Sequence, residues 1–236
     1  MIDPTPLWDF DDPAGSEQRL RDAAAIAEGN DRLVLLTQVA RALGLQERYD
    51  EGHALLDDLA AHDDEVATRV SLERGRLLRS SGRPDDARPH FEAASAAAAA
   101  AGLDALRVDA LHMVALVADP DEAVRLDDEA LAVARGSADP RARDWDASLL
   151  NNIGMAHANA GDFGAALAAF EEALEARLRI GDPARTRVAR WMVAWALRNL
   201  GRPAEALEIQ RALKAELAAT GAEDPYVDEE IALLEG

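Results

Sequence analysis

One stripe of a predicted helix carries two indole rings between two guanidinium groups. The residues are Arg187, Trp191, Trp195 and Arg198, and intervals of four, four and three place them on one helical face. Indoles bind apolar and aromatic side chains, and arginines bind carboxylates through paired N–H donors. The stripe therefore predicts a surface for an apolar side chain with acidic groups beside it. The alternative is that both indoles pack under the terminal helix.

Amide side chains follow one another on the preceding helical segment. Asn151 and Asn152 are followed by Met155 and Asn159. An amide can donate a hydrogen bond to a peptide backbone and accept one from it at the same time. These residues predict a surface that holds the main chain of an extended ligand, or alternatively a local bridge between adjacent helices.

A third group of candidates is basic and lies in the first half of the chain. It comprises Thr37, Gln38, Arg41, Arg69, Arg76 and Arg79. Their helical spacing predicts one positively charged face that binds carboxylates. The alternative is that these arginines pair with Asp and Glu residues on neighbouring helices.

The basic face contrasts with a strongly acidic chain. Its 236 residues include 45 Asp and Glu against 25 Lys and Arg, a formal net charge of −20, and Lys214 is the only lysine. This charge disfavours nucleic acid as a partner because a phosphate backbone would be repelled. A positive groove in a negative protein would attract an acidic ligand to one surface.

Patterns for catalysis and metal binding are weak. The chain has no cysteine, no phosphate-binding glycine loop and no nucleophile elbow. Its histidines show no His-x-x-x-His or Glu-x-x-His pairing, and they are His53, His62, His90, His112 and His157. We therefore predict a protein without catalytic residues, metal site or cofactor. A weaker alternative is a small-molecule sensor or enzyme that uses His112, with Asp109 one turn before it.

Glycine and proline mark the elements that must position these side chains. Glycines at 161, 181, 201 and 221 recur every 20 residues, and those at 82 and 102 repeat the step. Glycine is favoured just past a helix end, and proline is tolerated at the first helical position. Several prolines open segments rich in Ala, Leu, Glu and Arg, namely Pro84, Pro120, Pro140, Pro183 and Pro203. With 4% aromatic residues and no strand-length alternation, the chain is predicted to be all-α.

One segment shows the full order of small and large residues within a helix pair. It reads Leu150-x-x-Ile153-Gly154-x-x-His157-x-x-x-Gly161-Asp162-Phe163-x-x-Ala166-x-x-x-Phe170-x-x-Ala173. This pattern resembles the tetratricopeptide repeat. Copies with more drift cover Leu36 to Leu56, Leu72 to Ala94, Leu103 to Arg135 and Val193 to Leu213. Two positions depart from the pattern, since Glu47 replaces a turn glycine and Gln210 replaces a large apolar residue.

The resemblance implies a right-handed α-solenoid of antiparallel helix pairs, a tetratricopeptide-like superhelix with capping helices at both ends. Residues 1–15 form an acidic and aromatic N-terminal segment, 16–30 an N-terminal capping helix, and 222–236 a C-terminal capping helix. The solenoid spans 31–220, in repeats of about 31–62, 63–102, 103–138, 139–181 and 182–221. The later repeats resemble the subclass of roughly 40 residues.

The resemblance also implies where a ligand binds. In this family the first helix of each pair lines a concave groove, and asparagines such as Asn151 and Asn152 hold the ligand main chain in its peptide-binding members. We expect a non-catalytic scaffold or adaptor whose groove binds an extended, acidic peptide or partner tail. No basic and apolar leader or long apolar run is present, so we expect a cytosolic protein with no membrane partner.

The N-terminal segment offers a second possibility for the groove. Its sequence Trp8-Asp9-Phe10-Asp11-Asp12 is both acidic and aromatic, as a ligand of such a groove would be. The segment is predicted to dock on the array in cis or in a partner subunit. The alternative function is therefore a self-associating homodimer whose groove is occupied by its own N-terminal segment.

Overall fold

The computed structural model describes residues 2–59 and 63–236. These residues form α-helices and one short 3-10 helix, and none of them lies in a strand. The predicted all-α class of helical-repeat proteins is confirmed. The chain divides into two compact units, residues 1–133 and residues 134–236, and each is described by itself.

The first unit contains helices α1 to α6 and most of α7. Their bounds are α1 Pro13–Ile26, α2 Gly29–Leu45, α3 Tyr49–Asp57, α4 Asp64–Ser80, α5 Pro84–Ala101, α6 Asp104–Ala115 and α7 Pro120–Gly136. A 3-10 turn at Thr5–Leu7 precedes them. Helix α2 packs against α1, α3 and α4, and α4 packs against α5 and α6. The helices α2, α4 and α6 are the first members of successive pairs.

The second unit contains the end of α7 and helices α8 to α13. Their bounds are α8 Pro140–Arg143, α9 Asp146–Asn159, α10 Phe163–Ile180, α11 Pro183–Asn199, α12 Pro203–Ala219 and α13 Pro225–Glu235. Successive helices from α9 onward pack on each other, and α13 also contacts α11.

Aspartates cap the N-terminal ends of several of these helices. Asp139 and Asp182 accept hydrogen bonds from backbone N–H groups of the first turn, and Asp119 accepts one from Glu122 N at 2.9 Å. Asp12 does the same for α1, which therefore begins at Pro13 and not at residue 16 as predicted. The carboxylates satisfy backbone donors that have no partner within the helix.

The first turn between paired helices holds a non-glycine residue in a glycine conformation. Gly82, Gly161 and Gly201 follow the first helices of later pairs and have φ between 72° and 82°. Glu47 lies at the same place after α2 with φ 61°, the only non-glycine residue of positive φ among those described. A side chain is strained in this region because its Cβ approaches the backbone.

Glycines in first helices let the aromatic residues of second helices approach closely. A Cβ on Gly154 would lie 2.5 Å from a Phe170 ring carbon, and one on Gly75 would lie 2.4 Å from Phe91. Both rings are almost fully buried. Their removal from water contributes on the order of 2 kcal/mol each, and an added methyl group would force the helices apart. The predicted role of Gly154 follows directly from this contact.

Each second helix has one equivalent buried position, and the residue at that position differs in size and chemistry from helix to helix. That position holds Leu56, Phe91, Asp127, Phe170 and Gln210, and all five are buried. The matching first-helix position holds Ala40, Gly75, Leu111, Gly154 and Ala194. Both phenylalanines stand opposite glycine, whereas the smaller residues stand opposite alanine or leucine. A larger residue at one position is thus matched by a smaller residue at the facing position, so that the pair fills a similar volume.

The division into five repeats stays a prediction. The boundary placed at residue 62 lies outside the described residues. The range 16–30 given to an N-terminal cap ends inside α2, which begins at Gly29, and the range 222–236 contains α13.

Candidate functional site

In the first unit, two of the predicted groove arginines are neutralised by acidic neighbours. Arg76 donates to Glu73 on its own helix and to Asp109 on α6, both at 2.5 Å. Arg69 donates to Glu65 one turn earlier at 2.9 Å. For these residues the structure shows the alternative that was left open, in which arginines pair with nearby carboxylates. The expected excess of positive charge on α4 is therefore largely cancelled.

The Arg76 cluster is held deep between helices. The side chain of Asp109 is 13% exposed and that of Glu73 is 1% exposed. Burial by itself would raise the pKa of Asp109, but the guanidinium groups of Arg76 and Arg41 lower it below its usual value. Burial would likewise lower the pKa of Arg76, and Asp109 with Glu73 raises it instead. Asp109 and Arg76 therefore hold each other in the charged state.

Arg41 and Arg79 differ from these paired arginines. Arg79 lies exposed in the last turn of α4. Arg41 is partly covered, and its Cζ lies 5.5 Å from the ring centroid of Trp8 and 5.4 Å from that of Phe10. Burial lowers the pKa of Arg41, and the nearby charge of Arg76 adds to this. Arg41 thus binds aromatic faces where the sequence predicted a carboxylate.

The N-terminal segment docks in cis on α1 and α2. The rings of Trp8 and Phe10 stack at 5.0 Å with 7° between their planes. The Trp8 indole N–H donates to Gln38 Oε1 at 3.2 Å, and Gln38 is only 4% exposed. The contact of Trp8 with Gln38 and Arg41 joins the segment to a predicted binding face.

In the second unit, the two indoles lie between helices. Trp195 meets the rings of Phe163 and Phe170 edge to face at 5.4 and 6.4 Å. Trp191 stacks on Trp195 at 6.5 Å and donates from its indole N–H to Tyr226 O at 3.3 Å. Trp191 therefore packs against the terminal helix α13, as one of the two sequence interpretations had it, whereas Trp195 packs on α10.

The two arginines of the same stripe, Arg187 and Arg198, differ in their contacts. Arg198 makes a two-pronged ion pair with Glu230 of α13, with N···O distances of 2.8 and 3.0 Å. Arg187, near the start of α11, is half-buried and forms no ion pair with any residue that the structure describes. Arg187 is therefore the cation of this stripe whose N–H donors remain available.

Arg187 borders an open cavity of about 660 Å³ between α11, α12 and α13. Most of its wall is apolar, and two acidic residues lie on the loop before α13. The lining comprises Ala184, Arg187, Val188, Trp191, Met192, Leu213, Leu217, Ala222, Glu223, Asp224, Tyr226 and Val227. Val188 and Tyr226 are 60% and 66% exposed, which is high for residues beside a cavity. The volume lies within the range of about 300–1,000 Å³ typical of ligand sites.

The predicted amide face lies on α9 and is only partly accessible. Asn159 is exposed, Asn151 is half-buried, and Asn152 is half-buried with an interaction of its own. Met155 packs against the same apolar cluster as Trp195. Met155 and Trp195 are thus joined through the core, while Asn151 and Asn159 keep polar groups at the surface of α9.

The residues singled out for chemistry are engaged elsewhere. Asp109 is bound to Arg76, and His112 Nδ1 lies 3.8 Å from the carboxylate of Asp127. Across the described part of the chain, no three His, Cys, Asp or Glu side chains gather as metal ligands would. Within residues 2–59 and 63–236, every helix is too short or too polar to cross a membrane.

Several residues of these surfaces escaped sequence reasoning. Val188, Leu213 and Leu217 line the cavity, and Glu230 captures Arg198 from a helix that was assigned only a capping role. Helical spacing places residues on one face of their own helix, but it does not identify which distant helix covers that face. The signal that was available for α13 is its pattern of Val227 and Ile231, four residues apart, which pack on Leu213.

The model of the family described as Tetratricopeptide repeat matches residues 145–213. No curated protein matches by sequence. A putative kinesin light chain repeat protein of Podosopora anserina superimposes with a TM-score of 0.62 at 18% identity, covering 83% of this chain and 99% of that one.

Two further structures share the fold at low identity. The signal transduction ATPase of Pyrococcus horikoshii with a tetratricopeptide repeat sensor gives a TM-score of 0.73 at 11% identity, covering 94% of this chain and 36% of that one. The quorum sensor NprR of B. thuringiensis, in its apo form, gives 0.62 at 13%, covering 96% and 64%. NprR has also been crystallised with its cognate peptide NprX. Residues 145–213 thus match the tetratricopeptide repeat family, and the described residues share the helical-repeat fold of these structures.

Proposed function

We propose that this chain is a non-catalytic interaction scaffold that binds an extended, acidic peptide or partner tail. The observation that carries the proposal is the cavity beside α11, where an unpaired arginine adjoins an apolar wall that includes Trp191. A carboxylate and a large apolar side chain on one peptide would satisfy both features. The structural likeness to NprR, which has been crystallised with its cognate peptide NprX, agrees with this class of ligand.

Arg187 would supply the charged contact. Its guanidinium group can bind a carboxylate with two parallel hydrogen bonds, and each bond to a desolvated charge contributes roughly 1.5 to 3 kcal/mol. Glu223 and Asp224 on the opposite wall repel a second acid. The ligand would therefore place its acidic group on the α11 side and its apolar group toward Leu213 and Val227.

The amides of α9 would hold the ligand backbone. Asn151 and Asn159 present donors and acceptors at the surface of the unit, and Met155 provides an adaptable apolar contact. Trp195 and Arg198 would act indirectly, because Trp195 supports Trp191 and Arg198 fixes α13 through Glu230. In the first unit, Arg79 stays a predicted binding residue, and Arg69 and Arg76 are held by ion pairs with Glu65 and Asp109.

A peptide selection tests this function. The full chain is immobilised and exposed to a random nonapeptide library, and enriched peptides are measured by fluorescence anisotropy. We expect the enriched peptides to carry Asp or Glu within two residues of a large apolar residue. Arg187→Glu should lower their affinity at least roughly tenfold, since it loses one ion pair and adds repulsion.

Arg125→Glu is the matched control because its side chain is 74% exposed and lies in the first unit. It makes the same change of net charge and should leave binding within a factor of two. Selected peptides without acidic residues, or equal binding by the Arg187 and Arg125 variants, would refute the proposed site.

A further inference from the structure

The N-terminal segment covers one face of α2. We propose that the face of α2 formed by Gln38 and Arg41 recognises a segment with two aromatic residues one residue apart, and that Trp8 and Phe10 fill this site in cis. A partner segment of the same chemistry, with an added carboxylate, would displace them. This surface lies in the first unit and does not depend on the cavity beside Arg187.

The aromatic pair meets the face through specific chemistry. In an extended chain, residues i and i+2 point to the same side, which allows the Trp8 and Phe10 rings to stack with Arg41 beside both. The buried Gln38 accepts from the indole N–H. A hydrogen-bond acceptor and a cation placed against two stacked rings select Trp or a similar N–H aromatic residue at the first position.

The guanidinium group of Arg41 keeps N–H donors available in this arrangement. It forms neither an ion pair nor a hydrogen bond with any residue the structure describes, whereas Arg69 and Arg76 have carboxylate partners. The acids of the docked segment do not supply one, because Asp9 accepts from Asp11 N and Asp12 caps α1. A segment that brings a carboxylate to Arg41 would bind more tightly than the chain's own residues.

The docked segment is held more firmly before Trp8 than after it. Leu7 and Trp8 pack against the apolar cluster of α1 and α2. Arg19 donates to Leu7 O at 3.0 Å, and the Ser16 hydroxyl exchanges hydrogen bonds with the backbone of Asp9 at 2.8 Å. Phe10 remains 54% exposed. Exchange for another segment can therefore begin at the exposed Phe10 end, where the least surface has to be released.

The test uses the full chain and one defined probe. The probe is a fluorescein-labelled nonapeptide with the sequence of residues 4–12, Pro-Thr-Pro-Leu-Trp-Asp-Phe-Asp-Asp. The double variant Trp8→Ala/Phe10→Ala frees the site, and fluorescence anisotropy measures binding. A tether gives the cis segment an effective concentration of about millimolar, so wild type should bind the probe at least roughly tenfold more weakly than the double variant.

Two further changes assign the binding to this face. Adding Arg41→Met to the double variant should weaken probe binding at least roughly fivefold through loss of the cation–π contacts. Adding Arg125→Met instead, at an arginine of the same unit whose side chain is 74% exposed, should leave binding unchanged. Arg187→Glu should also leave it unchanged, which separates this site from the proposed cavity site.

The exposed ring of Phe10 provides a variant that preserves folding. If circular dichroism shows that the double variant is unfolded, Phe10→Ala alone should bind the probe roughly three- to tenfold more tightly than wild type, because the stacked pair is lost. The inference is overturned if the folded double variant binds no more tightly than wild type, or if Arg41→Met has no effect. It is equally overturned if the double variant unfolds and Phe10→Ala matches wild type.

Discussion

Arg76 shows why one arginine can be essential to a fold without taking part in binding. Its guanidinium group lies between two carboxylates that are removed from solvent, on α4 and on α6. A planar group with five donors can serve both partners at once, which an ammonium group does less well. Removing it would leave two buried carboxylates without the arginine that binds them directly.

We predict that Arg76→Met destabilises the folded protein by about 3–5 kcal/mol at pH 7. In wild type the pKa of Asp109 is lowered, so its ionisation favours the folded state, and this stabilisation is lost as the pH falls below about 4. In the variant, burial raises the pKa of Asp109, which penalises folding more as the pH rises. The difference in unfolding free energy should therefore grow between pH 4.5 and 7.

Urea unfolding followed by circular dichroism at the two pH values measures this difference. Arg79→Met removes the same charge from an exposed position of the same helix and should cost less than about 0.5 kcal/mol. A difference for Arg76→Met that stays constant or shrinks toward pH 7 would contradict the account of this ion pair.

Gln210 is a polar side chain in a position built for an apolar one. It is 0% exposed, and neither its Nε2 nor its Oε1 reaches a hydrogen-bond partner among the described residues. We predict that Gln210→Leu stabilises the protein by about 1–3 kcal/mol, since the cost of burying unpaired polar atoms disappears. The midpoint of urea unfolding should rise with an unchanged slope. Gln210→Ala is the control, because it removes the amide but leaves a cavity, and it should gain less than the Leu variant.

Sequence reasoning predicted residue roles well where both partners lie in one helix pair. The small residue Gly154 and the large residue Phe170 follow from a local pattern, and their contact is direct. It predicted less about Arg198 and Trp191, because their partners come from α13, outside the repeat pattern. The ligand-binding roles of Asn152 and the other candidate site residues stay predictions.

At the scale of elements, turn geometry explains why one residue departs from the repeat. Helices α4, α9 and α11 are followed by a glycine at a φ that other residues avoid, whereas α2 is followed by Glu47 at 61°. Tight packing of α2 on α3 and α4 fixes the chain path here, so the side chain must accept the strained conformation. The substitution was visible in the sequence, but its backbone conformation was not.

We predict that Glu47→Gly stabilises the protein by about 0.5–1 kcal/mol. A left-handed conformation costs a side chain roughly 1–2 kcal/mol, and part of this gain is offset by the greater freedom of glycine in the unfolded chain. Thermal unfolding monitored by circular dichroism should show a higher Tm. Glu47→Ala keeps the Cβ and removes the charge, so it should leave stability nearly unchanged. An equal gain for both variants would assign the effect to charge and not to backbone strain.

The packing of helix pairs depends on residue size more than on residue type. Glycine faces phenylalanine in two pairs, and the pair with Asp127 has Leu111 in the position of glycine. This compensation explains why the third copy is hard to align by its apolar residues. In the sequence, this exchange of sizes between Leu111 and Asp127 becomes visible only once the turn of the third copy has been located at Ala118 to Pro120.

At the scale of the whole molecule, the fold class could be predicted because starts and stops of helices recur along the entire chain. The division of the chain at residues 133 and 134 could not, because α7 continues across it without a break in pattern. The acidic ligand and the homodimer stay predictions. The charge of −20 opposes an acidic ligand at long range, so binding must rely on short-range contacts such as those of Arg187.

Direct recognition of an acidic peptide by Arg187 can be tested by a charge exchange between the protein and the peptide, measured by isothermal titration calorimetry. The peptide most enriched on the wild-type chain is compared with a copy whose acidic residue is replaced by Arg. Each is titrated into wild type and into Arg187→Glu. We predict that each single change weakens binding at least roughly tenfold and that the two changes together restore most of the affinity. Additive losses without restoration would contradict a direct contact between Arg187 and the ligand.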